Sequence, residues 1–186
     1  MATSPTDILE AEHRVIEKVV AVAAVLAETL ETGGAVKPET LREIVAFMRN
    51  YADKCHHGKE EAELFPLLER RGVPMRGCPV GALTGEHAQG RALVTALSDA
   101  GAGYEAGDVG AREALLTSLR GITSLYPNHI WKEDYLLFPM TNKVLSQEDQ
   151  QELQARFEKV EEGMEPGAHE HLEQVAADLE SRLRGF

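Results

Sequence analysis

The chain has 186 residues, 43% of them hydrophobic, enough for one domain with a sizeable core. Its formal net charge of −12 repels nucleic acid and anionic lipid, so neither is expected as a partner. Aromatics make up only 5%, while Ala, Leu, Val, Glu and Arg abound, which favours helices over strands.

No apolar run approaches the ~20 residues that a membrane span needs. The polar, acidic start MATSPTDILEAEH is unlike a secretory leader. Cys55 and Cys78 share no zinc spacing, so the expectation is a cytoplasmic protein with two free thiols.

Ser4-Pro5-Thr6-Asp7 predicts a helix start, with a serine cap, an early proline and an acid three residues on. Ile8, Leu9, Ile16, Val19, Val20, Ala23, Leu26 and Leu30 then recur at helical spacing until Gly33-Gly34. A second helix is expected from near Pro38 to about Arg70, and a Gly/Pro-rich loop over residues 71–81. A third covers about Ala82 to Ala100 and is broken by GAGYEAGD; a fourth runs from about Val109 to Thr141. The reading is all-α, with an up-down-up-down antiparallel four-helix bundle as a domain over residues 1–145. Ser146 to Asp149 forms another capping box and opens a helix to about Glu162. After GMEPGAHEH a last amphipathic helix reaches Leu183. Residues 146–186 thus read as a C-terminal helical extension, separable from the bundle before it and a candidate surface for a protein partner.

Two stretches repeat each other. HHGKEEAELFP, from His56 to Pro66, aligns without gaps when its first histidine is set on His129 of HIWKEDYLLFP, which ends at Pro139. Upstream, Glu12-His13 and Glu86-His87 also repeat, at a spacing one residue longer. Each half is then a helical hairpin: one helix offers a histidine, the next a His and a Glu at i and i+4. Four residues of helix return to nearly the same face, so such a pair converges on one pocket. His56 and Glu60 lie on a stripe with Leu41, Val45, Met48, Ala52, Leu64 and Leu67. His129 and Glu133 lie on a stripe with Leu115, Leu119, Ile122, Tyr126 and Leu137. His13 and His87 interrupt apolar stripes of the first and third helices.

Buried carboxylates need a pairing charge or a metal. Imidazole with carboxylate suits iron, manganese or zinc, and four His with two Glu exceed what one zinc requires. A two-metal site bridged by carboxylates and a solvent oxygen fits the count. His57 and Glu61 form a rival i, i+4 pair, but Asn50 and Asp53 upstream are polar and the repeat sets Ile130 against His57. His56 and Glu60 therefore rank first. His57 is a candidate extra ligand, a donor behind the ligands, or a solvent-facing residue. Glu61 and Asp134 are expected behind the ligands or at the surface, with Asp134 replacing Glu133 if the ligand after His129 stands at i+5. Pro66 and Pro139 should kink or loosen their helix ends, and Pro127 should bend the fourth helix. His169 and His171 are expected to be exposed and idle.

The pattern EH…HHGKEEAELFPLL…EH…NHIWKEDYLLFPM resembles the hemerythrin-like (HHE cation-binding) domain family over about residues 6 to 142. The resemblance implies a four-helix bundle around two non-haem iron ions with oxo, hydroxo or carboxylate bridges. It implies His13, His56, Glu60, His87, His129 and Glu133 as ligands. It further implies a small diatomic or peroxide ligand such as oxygen or nitric oxide; iron storage, transfer or iron-centre repair is the alternative. The oxygen-carrying members have a second histidine one turn after the position of His87, where this chain has Arg91. The centre would then be short of one nitrogen unless His57 supplies it. A ferritin-type Glu-x-x-His occurs only at Glu10–His13.

Overall fold

The computed structural model describes residues 4–77 and 79–183; the expectations for Cys78 and for the first three residues lie outside them. Six helices hold most of the described residues, and no strand occurs among them. They are α1 (Pro5–Glu31), α2 (residues 38–70), α3 (Val80–Ala106), α4 (residues 111–144), α5 (Gln147–Glu162) and α6 (Ala168–Leu183). None is long and apolar enough to cross a membrane.

Both serine caps form as the sequence predicts. Ser4 accepts from the Asp7 amide and Asp7 accepts from the Ser4 amide; Ser146 and Asp149 repeat the box. The end of α3 is a correction. The helix continues through Gly101 and Gly103 and stops only at Gly107, whose φ of 78° is left-handed. A glycine inside a helix merely weakens it, whereas a left-handed residue ends it. Tyr104 holds the extra turn by accepting from the Val36 amide at 3.4 Å. The start is likewise earlier than expected, at Val80.

Helices α3 and α4 approach closely at Gly121, where an added Cβ would lie 2.4 Å from Leu93 Cδ2. The apolar interior comes in two parts. One cluster gathers Ile16, Phe47, Met48, Ala52, Val94, Ile122 and Ile130. The other gathers Leu9, Leu64, Phe65, Leu83, Leu137 and Phe138. On each of the first four helices, the candidate ligands lie between a residue of one cluster and a residue of the other. The extension packs on the same clusters: α5 gives Leu153 and Phe157 to the second, and α6 gives Leu172, Ala176 and Leu179 to the first. Whatever boundary is drawn near residue 145, helices beyond it complete the interior.

At the level of the polar layer, α2 and α4 widen from α-helical to π-helical turns with i→i+5 hydrogen bonds. The wide segments are Met48–His57 and Glu60–Leu64 in α2, and Glu133–Leu137 in α4. Pro66 and Pro139 sit in the first turn after these segments. A proline cannot donate to the carbonyl four residues back and its ring crowds that carbonyl, so a wider turn relieves both.

Candidate metal centre

His13, His56, Glu60, His87, His129 and Glu133 are all buried, and they converge in the layer between the two apolar clusters. His13 Nε2 lies 2.9 Å from His56 Nε2 and 3.1 Å from Glu133 Oε2. His129 Nε2 lies 3.3 Å from Glu133 Oε2. His87 Nε2 lies 3.4 Å from Glu60 Oε2 and 3.6 Å from Glu133 Oε1. Two donor groups emerge, His13 with His56 and Glu133, and His57 with His87 and His129; Glu60, His87 and Glu133 form a third that joins them.

The wide turns decide the place of His57. With i→i+5 bonding the helix no longer turns adjacent residues onto faces as far apart as an α-helix does, and His56 and His57 both point inward. The His57 ring stacks on His87 with centroids 3.8 Å apart and meets His129 edge-on at 5.6 Å. Ile130, its counterpart in the repeat, joins the apolar cluster instead.

Behind the candidate ligands stands a ring of carboxylates with the same two-fold pattern. Glu12 holds His56 Nδ1 at 2.9 Å, and Glu86 holds His129 Nδ1 at 3.1 Å. Asp134 of α4 holds His13 Nδ1 at 2.6 Å, and Glu61 of α2 holds His87 Nδ1 at 2.7 Å. Each carboxylate fixes the neighbouring ring so that its Nε2 faces the centre, which is what a metal-binding imidazole requires. Asp134 is thus engaged behind His13, and Glu133 is the carboxylate that faces inward. Four cations back the ring: Lys59 pairs with Glu12, Lys132 with Glu86, Arg14 with Asp134, and Arg91 with Glu61. Glu12 and Glu86 escaped the sequence reading as carboxylate partners of His56 and His129, although each immediately precedes a repeated histidine, His13 or His87. Lys59 and Lys132 carried a similar signal, each preceding a repeated glutamate.

His169 is a second correction. It is half-buried, its Nε2 lies 3.5 Å from Glu12 Oε1, and its ring tilts against Tyr51 with centroids 5.0 Å apart. Helix α6 folds back over α1 and α2, which a reading of local polarity could not show. Cys55 is buried beside it. Lys59 is also fully buried and pairs with both Glu12 and Glu161 of α5.

Electrostatics make the layer costly to leave as it stands. Burial and the Glu133 carboxylate push Glu60 well above the usual carboxylate range. At Glu133 burial acts in the same sense, but His129, His13 and His87 outweigh it and hold the group low. Burial would lower His13, yet Asp134 and Glu133 raise it to about 9. Burial presses His57 to about 3, and burial with His13 presses His56 to about 4. Both oxygens of Glu60 and of Glu133, and the Nε2 atoms of His87 and His129, are buried without a hydrogen-bond partner. Orphaned lone pairs of this kind, pooled around one point, fit a bound cation.

The model of the hemerythrin HHE cation-binding domain matches residues 4–141. Among curated proteins, the chain is similar to the uncharacterized protein Rv1995 of Mycobacterium tuberculosis and the uncharacterized protein Mb2018 of Mycobacterium bovis. Each is 26% identical over 183 residues, which span 97% of this chain and 70% of the relative. That likeness runs through α5 and α6. No solved structure gives a significant match.

Proposed function

This chain belongs to the hemerythrin HHE cation-binding domain family, and from that premise we propose that its polar layer holds two non-haem iron ions and takes up a small molecule such as oxygen, nitric oxide or peroxide. The observation that carries the reading is the set of buried, unpartnered lone pairs on Glu60, Glu133, His87 and His129. His13, His56 and Glu133 would hold one ion, and His57, His87 and His129 the other, with Glu60 between them. Iron so bound supplies a redox-active Lewis acid for a small oxygen- or nitrogen-containing ligand.

The chain's own contribution is orientation and dryness. Glu12, Glu61, Glu86 and Asp134 fix the imidazole rings. The apolar clusters on either side restrict water, which strengthens every charge interaction within the layer.

Metal analysis with optical spectra tests the reading. The expected result is two irons per chain and a near-ultraviolet charge-transfer band that changes on adding oxygen, nitric oxide or peroxide. A His56→Ala, His129→Ala variant should lose iron and band together; full iron content in that variant ends the proposal. Iron handed to an acceptor protein with no response to any of the three molecules would sink its small-molecule half.

A further inference from the structure

A cavity of about 470 Å³ opens between α2, α3 and α4, and the centre described above does not account for it. Asn50, Asp53 and His57 line it from α2, Arg91 and Thr95 from α3, and Tyr126 from α4. Its inner wall belongs to the metal centre: His57 stacks on His87, and the Tyr126 ring lies 6.3 Å from the His129 ring.

Charge distinguishes this approach from the others. A cavity of about 440 Å³ reaches Asp134, behind His13, but sets Asp7, Glu10 and Asp134 against Arg14 alone. A cavity of about 420 Å³ reaches Glu86, behind His129, and touches no imidazole. In the first cavity Arg49, Lys54 and Arg91 face one carboxylate, Asp53. On a chain of net charge −12 this is a local positive mouth, which repels cations and gathers anions. Arg91 is fixed in place, its Nε donating to Asp53 at 2.7 Å and its Nη2 to Glu61 at 2.9 Å. The Tyr126 hydroxyl is given its place by a glycine: a Cβ at Gly90 would stand 3.1 Å from it. An apolar gas makes no use of a guanidinium or a hydroxyl, whereas a small anion hydrogen-bonds to both.

We infer that this cavity is a docking site for a small inorganic anion, held by Arg91 and Tyr126 beside His57 at the edge of the metal centre. The inference rests on the di-iron reading only for what the anion meets next. Charge steering of this kind multiplies association rates by about 10 to 10³ and fades as salt rises.

The test reads association of azide with the iron-loaded protein by stopped-flow absorbance, against an Arg49→Glu, Lys54→Glu variant. Both residues are exposed and neither is a candidate ligand, so iron content should not change. At low salt the variant should bind azide at least ~10-fold more slowly, the difference should vanish near ~0.5 M salt, and nitric oxide association should be unaltered. Equal azide rates at low salt, or an equal slowing of nitric oxide, overturns the inference. In the metal-free protein, thiocyanate should shift the NMR signals of the Arg91 Nε–H and the Tyr126 ring, and Tyr126→Phe should weaken that binding several-fold. No shift at either residue would also overturn it. Because this second arm needs no iron, failure of the docking site and failure of the di-iron reading are told apart.

Discussion

Lys59 and Lys132 occupy matching positions of the repeat, and the structure predicts that their removal costs very different amounts. Lys59 has a side-chain exposure of 0%; its ammonium pairs with Glu12, which is 4% exposed, and with Glu161. Phe157 lies 5.8 Å from the ammonium. A Lys59→Met change keeps most of the aliphatic stem but leaves Glu12 a buried carboxylate short of its cation. Breaking one side of a buried pair costs about 3–5 kcal/mol. For a chain of this size that is a fall in Tm of roughly 6–20 °C. Lys132, 35% exposed and paired with the 19% exposed Glu86, has water on both partners. Lys132→Met should cost below about 1 kcal/mol. The assay is urea unfolding of the metal-free proteins followed by circular dichroism, with wild type alongside. Losses equal within about 0.5 kcal/mol would refute the claim that α5 and α6 convert a surface ion pair into a buried one.

The metal-free protein should lose stability as pH falls below about 6.5. The unfolded chain protonates its histidines there, whereas burial holds folded His57 neutral to about 3 and folded His56 to about 4. Each such group adds a slope of about 1.4 kcal/mol per pH unit, full stability being present above the unfolded pKa. His57→Gln should flatten the urea midpoint between pH 6 and pH 5 by one histidine's share, and an unchanged slope would count against its burial as a neutral ring. His13, held at about 9, acts oppositely: its contribution is complete below about 6.5 and lost as pH rises through 9. Gly121→Val should destabilise by about 1–3 kcal/mol, since even a Cβ would meet Leu93 at 2.4 Å. Unfolding at the wild-type urea midpoint would show that α3 and α4 can separate freely.

Much of the bundle was legible because its signals are local. The two capping boxes, the apolar stripes of α1, α2 and α4, and the doubled His-x-x-x-Glu all depend on residues within a turn or two of one another. The same spacing singled out His13, His56, Glu60, His87, His129 and Glu133, whose convergence follows once each stripe packs inward. The end of α3 was misjudged because composition cannot tell a glycine tolerated in a helix from one adopting the left-handed cap, a difference of backbone angle at Gly107.

The sequence by itself determined that paired helices would carry matched imidazoles and carboxylates on core-facing stripes, because helical period is a property of the chain alone. Only the tertiary structure decided which groups stand behind them. Asp134 reaches His13 from 121 residues away, and Glu161 and His169 return from α5 and α6 to Lys59 and Glu12. It also decided the place of His57, which turns inward because widened turns before Pro66 and the packing of four helices set its ring against His87. Those outcomes depend on distances between segments, and no local pattern encodes a distance across the bundle.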